Sequence, residues 1–380
     1  MKINDVRIYL TTSDGGPALF VAIETDTGLT GYGEGTNHFT PQAPYGLLQD
    51  LKPYLIGQDP ERIAYLWQMC YRRLFYRGGP ATGAALAAID LALWDIKGKA
   101  YGVPVYQLLG GLARDRVRLY GHVTGRTAEE AADQARQRVA RGITAIRFRG
   151  WHADDAAGLH DHAHAVREQI EYLAAIRAAV GDEVDLILEC HGRYDPEWAI
   201  AAARAAEPYR PFMVEDPVRH ENPRALALVR QHTSLPLATG ERYHDKWDFT
   251  EAIVNSWVNY ARPDICHCGG ISEIVKIGAL AEAYYVNLIP HNNAGPLGSM
   301  ASVHAALAIP NVALLEAPWV NSDRATDLVG PFPTVADGYA LPPVGPGLGI
   351  TLDEARAAAT PFHPGHYPEL KALDGVVRDF

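Results

Sequence analysis

Cysteine is scarce in this chain, with 4 among 380 residues. Cys70, Cys190, Cys266 and Cys268 are too few and too unevenly spaced for a disulfide framework, and reduced thiols are typical of the cytoplasm. Cys266 and Cys268 flank His267, which suggests a metal site as one interpretation. Because zinc motifs usually separate paired cysteines by two or more residues, packing at a strand end is the favoured interpretation.

Long apolar runs and basic clusters are also missing. No stretch reaches the roughly 18 apolar residues of a membrane span, and residues 1–6 carry charge where a signal peptide needs an apolar run. A cytoplasmic protein without a membrane partner is therefore expected. With a net charge of −11 and no basic run, a nucleic-acid partner is not expected. Hydrophobic content of 48% and charged content of 21% are typical of an ordinary globular protein.

Residues 1–112 predict a small α+β domain. Apolar runs at 6–10, 19–23 and 31–34, separated by turn signals at 14–17 and 26–28, indicate a three-stranded antiparallel meander. From Pro60 the pattern becomes helical, and residues 82–99 carry an apolar stripe at helical spacing.

Residues 113–322 alternate short strands with alanine-rich helices, which indicates βαβ units and a parallel sheet. Strands are expected at 118–123, 145–149, 186–191, 212–216, 237–241, 258–264, 287–291 and 312–316, and helices at 128–141, 165–180 and 271–283. Eight such strands close a barrel, so the expected fold is α/β, a TIM-type barrel with a second domain. Residues 151–161 are expected to form an extra loop over the strand ends, and residues 323–380 to pack back on the first domain.

Six acid-base residues recur in the second half of the chain at intervals of 23 to 27 residues. They are Glu189, Glu215, Glu241, Asp264, His291 and Glu316. One strand with its return helix takes roughly 25 to 30 residues, so side chains with this period occupy equivalent places on successive strands. In a barrel these places converge at the carboxyl ends of the strands, where catalytic groups gather.

Three of these carboxylates fall on consecutive strands, the third to the fifth. Glu189, Glu215 and Glu241 would repel one another, and a bound divalent cation would neutralise that repulsion. Ligation by oxygen alone favours a hard ion such as Mg²⁺. The alternative is that each glutamate caps a helix or pairs with an arginine. The arginines considered are Arg193, Arg219 and Arg242.

Two histidines are expected beside that cation. His191 lies two residues after Glu189, so on an extended strand the two side chains point the same way. The alternative is that His191 is only a packed or capping residue after the strand. Asp264 and His291 end neighbouring strands, so the carboxylate can fix the imidazole tautomer and raise its basicity. A base and an acid around a divalent cation suit removal of the α-proton of a carboxylate and loss of a β-hydroxyl as water. Glu316 could hydrogen-bond an enediolate oxygen, cap a helix or form an ion pair.

These residues, with several longer motifs, resemble the enolase superfamily, and within it the acid-sugar dehydratases of the mandelate racemase subgroup. The motifs are AIDLALWDIKGK at 88–99, EPYRP at 207–211, EDP at 215–217, GER at 240–242, RPD at 262–264 with CGG at 268–270, PH at 290–291, and ECHGR at 189–193. The resemblance implies Mg²⁺-dependent dehydration of an aldonate, such as galactonate or a related acid sugar, to a 2-keto-3-deoxy acid through an enediolate.

The resemblance also implies roles for individual residues. Glu189, Glu215 and Glu241 would ligate the metal, His291 supported by Asp264 would be the general base, and His191 the general acid.

The first domain and the tail would cap the barrel mouth and select the substrate. Candidate substrate contacts are then the loop at 11–17 with Asn37, His38 and Tyr45. Relatives assemble from dimers upward, so a homo-oligomer is expected.

Two positions depart from the family's pattern. The first metal position more often carries Asp, and Glu189 is one methylene longer. The second strand has Arg147 and Arg149 where racemases and lactonising relatives have lysines. Because arginine stays protonated, neither should act as a base. They could bind a substrate carboxylate, or one could pair with Glu189 or another acid.

Two other functions remain open on these residues. One is an epimerase, racemase or cycloisomerase of a sugar acid that uses the same metal-stabilised enediolate, although loss of the lysine argues against two-base racemisation. The other, more remote, is a non-catalytic sugar-acid binding protein that kept the fold.

Further histidines outside this set are given no role in the chemistry. His160, His162 and His164, beside acidic residues 154, 155 and 161, are interpreted as solvated surface. His220 follows the fourth strand and is left without an assignment.

Overall fold

The computed structural model describes residues 1–13, 16–151, 156–321, 328–365 and 369–379. Its amino-terminal sheet is the predicted antiparallel meander, with strand order β1-β2-β3. The strands are β1 Ile3–Ser13, β2 Gly16–Thr25 and β3 Thr30–Glu34. The first two are longer than the apolar runs, because their pairing continues out to Ser13 and Gly16.

Four helices follow this sheet. They are α1 Gln42–Leu55, α2 Ile63–Arg73, α3 Pro80–Tyr101 and α4 Val105–Leu108. Helix α3, predicted at 82–99, is buried on nearly every side because it lies between the sheet and the rest of the chain. The Trp94 indole donates to Ser272 Oγ at 3.0 Å, and Ser272 N donates to Asp90 Oδ2 at 2.9 Å.

Close contact between β3 and α3 depends on residues without large side chains. Glycines occupy alternate positions along and just beyond β3, and alanines occupy successive turns of the helix opposite them. The glycines are Gly31, Gly33 and Gly35, and the facing alanines are Ala84, Ala88 and Ala92. A Cβ at Gly33 would lie 1.9 Å from the Ala88 carbonyl oxygen. The backbones therefore touch directly, which joins the sheet rigidly to α3.

The second part of the chain alternates strands and helices around a parallel sheet. The strands are β4 Val117–Val123, β5 Ala145–Phe148, β6 Asp185–Glu189, β7 Met213–Glu215, β8 Leu237–Thr239, β9 Tyr260–Ala261, β10 Asn287–Leu288 and β11 Leu315–Glu316. The helices are α5 Ala128–Ala140, α6 His162–Val180, α7 Pro196–Ala206, α8 Pro223–Arg230, α9 Lys246–Val254, α10 Ile271–Ala283 and α11 Pro296–Ala308.

The eight strands close into a barrel, as the sequence predicts. Strands β4 to β10 pair in chain order. The last strand, β11, pairs in parallel with β4, and a bridge from Leu288 to Val312 joins it to β10. Buried side chains contributed by the successive strands form a separate apolar cluster inside the ring. They are Tyr120, Ala145, Ile187, Met213, Ala238, Ile289 and Leu314, with Tyr260 packed against them.

The tail contacts both parts of the chain. It contains β12 Val329–Gly330, β13 Val335–Ala336, β14 Tyr339–Ala340, β15 Thr351–Leu352, α12 Glu354–Ala359, β16 Leu370–Lys371 and β17 Val377–Arg378. Glu354 accepts hydrogen bonds from Arg7 and Tyr9 of β1 at 2.6 and 2.7 Å. The expected packing on the first domain is therefore only part of the arrangement, because β14 also pairs with β4. The domain limits at 112 and 322 stay predictions.

Within the described residues, every helix is too short or too polar to cross a membrane.

The β3–α3 contact predicts a sharp contrast between two glycine substitutions. Gly33→Ala should lower the free energy of unfolding by on the order of 3 kcal/mol, because the new methyl meets backbone atoms that cannot rotate away. Gly46→Ala on the exposed face of α1 meets nothing within 4 Å and should stabilise by roughly 0.5–1 kcal/mol. Urea denaturation of both variants measures the contrast, and equal effects would contradict the packing argument.

Buried His304 predicts a loss of stability on acidification. Tyr106 N donates to its Nδ1 at 3.2 Å and its Nε2 donates to Leu348 O at 3.2 Å, so the ring is neutral. Burial lowers the pKa of His304 from 6.5 to about 4. Between these values the unfolded chain binds the extra proton and the folded chain does not, so stability falls as pH drops from 6.5 toward 4.

The full contribution is on the order of 3 kcal/mol. The stability difference between wild type and His304→Gln should therefore shrink between pH 7.5 and pH 5 in urea denaturation. His232→Gln, at an exposed histidine, is the control for replacing an imidazole by an amide elsewhere on the protein. Parallel slopes for wild type and His304→Gln would contradict the prediction.

Candidate active site

The three glutamates expected to bind a metal lie together at the carboxyl ends of three neighbouring strands. Glu189 and Glu215 end β6 and β7 and are direct partners in the parallel ladder. Glu241 follows β8 by two residues. One carboxylate oxygen from each lies within 4.8 Å of those of the other two. Among the described residues, no other group of three acids, histidines or cysteines has this spacing.

Unusual backbone conformations lie next to the three glutamates at the strand ends. His191 and Asp216, just beyond β6 and β7, have φ values of 53° and 41°, in the left-handed region that residues other than glycine rarely adopt. Gly240, before Glu241, has φ 138°, and a Cβ there would lie 2.4 Å from the Phe249 ring. Such strained positions cluster at functional sites because they fix unusual side-chain directions.

Glu241 lies between the two imidazoles. Its Oε1 is 3.5 Å from His191 Nε2, and its Oε2 is 3.4 Å from His291 Nε2. The two histidines thus approach the carboxylate cluster from two sides, as their places on the third and seventh strands imply. Burial lowers the pKa of His191 to about 4.

His291 is held by Asp264. The two residues form a parallel bridge, and His291 Nδ1 lies 2.5 Å from Asp264 Oδ2. Burial opposes the charged ring, but Glu316 and the other surrounding carboxylates outweigh it and raise the pKa of His291 to about 9. The Asp264 carboxylate accepts the hydrogen bond from Nδ1–H, so Nε2 faces Glu241. A cation bound by the glutamates would offset the charges that favour the protonated ring and leave Nε2 able to accept a proton. Asp264 also lies 3.0 Å from His267 Nδ1, and its pKa is held well below its usual range.

Glu316 takes part in an ion-pair network at the barrel interior. Its Oε2 accepts from Arg262 Nη2 at 2.8 Å and from Asn292 N at 3.1 Å, and its Oε1 lies 2.7 Å from His122 Nε2. Arg262 also lies 2.6 Å from Glu215. Of the roles considered for Glu316, ion pairing is therefore the one that the contacts show.

Pairing of the metal-site glutamates with arginine occurs through Arg147, for which pairing with Glu189 was one of the roles left open, and through Arg262. Arg147 contacts Glu189, and Arg262 contacts Glu215. Arg219 instead pairs with Asp195, and Arg242 donates to the His191 carbonyl at 2.5 Å.

Arg147 lies within β5, and Arg149 lies directly beyond it. The Arg147 guanidinium lies against three acids, Glu189, Glu215 and Glu316. Arg149 is half-buried directly beyond β5. Of the two roles left open for Arg147, pairing with acids is the one that its contacts show.

Electrostatics of the cluster suit a divalent cation. Burial raises the pKa of Glu215 well above its usual range against the opposing charge of Arg262, and repulsion from neighbouring Glu189 raises it further. Buried Oε2 atoms of Glu215 and Glu241 accept no hydrogen bond among the described residues. An all-oxygen donor set that is buried, negatively charged and incompletely satisfied matches the ligation preferred by Mg²⁺.

The candidate substrate contacts of the first domain have separate structural roles. His38 Nε2 lies 2.8 Å from Asn293 O, two residues beyond His291. Asn37 is buried, and its side-chain oxygen accepts from Phe39 N and Thr40 N. Tyr45 packs on the apolar core of the first domain. In the loop at 11–17, residues 14 and 15 lie outside the described residues.

Two histidines interpreted as solvated surface are buried instead. His160 and His162 are 1% and 6% exposed. The interpretation was wrong because the tail covers them: His160 N donates to Lys371 O at 2.9 Å. Acidic residues 154 and 155 lie outside the described residues. Cys266 and Cys268 are buried free thiols, which agrees with packing.

Three functional-site residues were missed by the sequence analysis. Arg262 precedes Asp264 by two residues, so its motif carried a usable signal for the same strand face. His122 stands near the end of the first strand, a place equivalent to those of the six residues, but outside their interval. Glu34 accepts from Gly295 N at 2.8 Å and Gly298 N at 2.9 Å, at the start of α11, and no local pattern links residues so far apart.

A closed barrel with acids at its carboxyl end and an amino-terminal α+β domain is the architecture of the enolase superfamily. The chain matches the family model for the mandelate racemase / muconate lactonizing enzyme N-terminal domain over residues 2–110 and that for the enolase C-terminal domain-like family over residues 130–356. The protein therefore belongs to the mandelate racemase / muconate lactonizing enzyme family of the enolase superfamily.

Individual relatives cover nearly all of the chain. D-galactonate dehydratase of Ralstonia pickettii (strain 12J) is 40% identical over 343 residues, which are 89% of each protein. A crystal structure of an enolase from Agrobacterium radiobacter, with Na and L-malate bound, is 32% identical with a TM-score of 0.92 and covers 100% of both chains. An enolase from Pantoea ananatis with bound D-gluconate and Mg is 32% identical with a TM-score of 0.91 and covers 99% of both chains.

Proposed function

We propose that the protein is a Mg²⁺-dependent acid-sugar dehydratase, a hydro-lyase that converts an aldonate such as galactonate or a related acid to a 2-keto-3-deoxy acid. The observation that carries the proposal is the glutamate cluster with an imidazole on either side of Glu241. The D-galactonate dehydratases among the relatives and the neighbour with bound D-gluconate and Mg support the substrate class.

In this proposal Glu189, Glu215 and Glu241 hold the cation. A bound Mg²⁺ would stabilise the negative charge that develops on the substrate carboxylate when its α-proton leaves. By fixing the position of the cation, the three glutamates would also fix the distance of the substrate carboxylate from each histidine, which reduces the entropy cost of the reaction.

Proton transfer would be divided between the two histidines. His291 Nε2 takes the α-proton, since Asp264 fixes the opposite nitrogen as the donor. His191, which burial keeps neutral in the free site, gives to the β-hydroxyl a proton that it takes up when the anionic substrate binds; the C–O bond breaks, and water leaves. The resulting enol rearranges to the 2-keto-3-deoxy acid, so atoms and charge balance without any oxidant.

A screen of five- and six-carbon aldonic acids with Mg²⁺ tests the proposal. We expect at least one acid to give a 2-keto acid with loss of one water, detected by semicarbazide and mass spectrometry, and EDTA to abolish the reaction. A product of unchanged mass would indicate an epimerase or cycloisomerase instead. Ligand binding without turnover of any acid in the library would indicate a binding protein.

The proposed roles predict different defects in two histidine variants. His291→Asn should reduce α-proton exchange in deuterated buffer by about 10³-fold, because it removes the general base. His191→Asn should retain that exchange but lose 2-keto acid formation, because only departure of the hydroxyl needs this acid. NMR of the substrate and a keto-acid assay separate the two steps.

His232→Asn, at an exposed surface histidine, is the matched control and should behave as wild type in both assays. Undiminished exchange in His291→Asn would remove that residue from its role.

A further inference from the structure

The Arg147 guanidinium presents three different nitrogens to three acids of the site. Nη2 contacts Glu189, Nε lies 3.5 Å from Glu215 Oε2, and Nη1 lies 3.8 Å from Glu316 Oε1. The side chain is only 13% exposed. Its charge therefore acts on the carboxylate cluster with little screening by water.

Arg147 shares Glu189 with the proposed cation. One oxygen of this carboxylate, Oε1, accepts from the backbone N of His191 at 2.5 Å, and the other, Oε2, contacts Arg147. With Glu189 held at both oxygens, a cation ligated by it must share an oxygen with one of these donors. A backbone N–H cannot move away without displacing the strand end, whereas an arginine side chain can.

Arg262 has a different place in the network. It is fully buried, 2.6 Å from Glu215 and 2.8 Å from Glu316, and it donates to the Ile289 carbonyl at 3.3 Å. A bond to the main chain fixes it within the barrel interior. Among the described residues, the three contacts of the Arg147 guanidinium are with carboxylates, so Arg147 is the cationic side chain whose position depends on the charge of the cluster.

The net charge of the cluster also indicates that Arg147 competes with the cation. When a bound cation keeps all four carboxylates ionised, these acids and two guanidinium groups leave two negative charges, which one divalent cation balances. The carboxylates are Glu189, Glu215, Glu241 and Glu316, and the guanidinium groups are Arg147 and Arg262. Each positive charge that remains beside the cation lowers its affinity through direct repulsion.

We infer that Arg147 is a positioning residue that holds the metal-ligand carboxylates together in the metal-free protein and thereby weakens binding of the divalent cation. The inference rests on the proposed function, since it takes the glutamate cluster as the metal site. It also connects the two departures from the family's pattern, because the longer acid Glu189 and the arginine of the second strand are in direct contact.

Arg147→Met tests this inference with Mn²⁺ as the probe. Affinity for Mn²⁺, measured from the EPR signal of the free ion, should rise by about tenfold or more when the competing charge is removed. The metal-free variant should melt at a lower temperature than wild type, because the acids then repel without compensation. If the substitution only damaged the structure, both the melting temperature and the Mn²⁺ affinity would fall. A lower melting temperature with a higher Mn²⁺ affinity therefore distinguishes competition from structural damage.

Arg118→Met is the matched control. Arg118 on β4 pairs with Asp185 of β6 at 2.7 Å, at the opposite end of the strand that carries Glu189. Its loss removes an ion pair of the same kind and should leave Mn²⁺ affinity unchanged. Arg147→Lys keeps the charge but offers a single ammonium in place of a fork, and we expect an affinity between those of wild type and Arg147→Met.

Unchanged or weaker Mn²⁺ binding by Arg147→Met would overturn the inference while leaving the proposed function intact. If that variant does not fold without metal, Arg147→Lys decides: affinity equal to or below wild type overturns the inference, and higher affinity supports it. Failure of the wild-type protein to bind Mn²⁺ would remove the proposed metal site and this inference with it.

Discussion

Repulsion between buried carboxylates at one end of the barrel is the constraint on which the rest of the site depends. Glu189 and Glu215 are 0% exposed and Glu316 is 1% exposed, and like charges this close cannot all ionise without compensation. The barrel supplies that compensation from its own strands. Arg147 comes from β5 and Arg262 follows β9, so the parallel pairing that brings the acids together also delivers their counter-charges. The remaining negative charge is the feature that suits a divalent cation.

Helix α3 is one of the elements that fix the first domain to the barrel. Glycines in β3 allow its backbone to touch α3, and α3 in turn touches the barrel at Gly83, where a Cβ would lie 1.8 Å from the His267 carbonyl oxygen. Asp90, farther along the same helix, accepts from Ser272 at the start of α10. Residues that lack side chains are thus as important to the domain arrangement as the apolar core, because each close approach excludes even a methyl group.

Much of the fold was predictable because it follows from periodic patterns. A barrel repeats one strand and one helix, so acids at one interval, such as Glu189 and Glu215, had to fall at equivalent strand ends. Contacts between side chains of different strands have no such period. Pairing of Arg147 with Glu189 depends on rotamers and on burial, and the sequence left it as one of two roles. Burial of His160 depended on a tail strand more than 200 residues away, a distance at which local composition carries no information.

The loop that follows His291 contacts both the barrel and the first domain. Asn292 N donates to Glu316 from the barrel side. His38 lies against the Asn293 carbonyl, and Glu34 accepts from Gly295 N, both from the first domain. The loop is therefore held from two sides, and a displacement of the first domain would also displace the proposed base. The segment around Glu34 and His38 therefore cannot change freely under the proposed function, because it holds the loop that follows the proposed base.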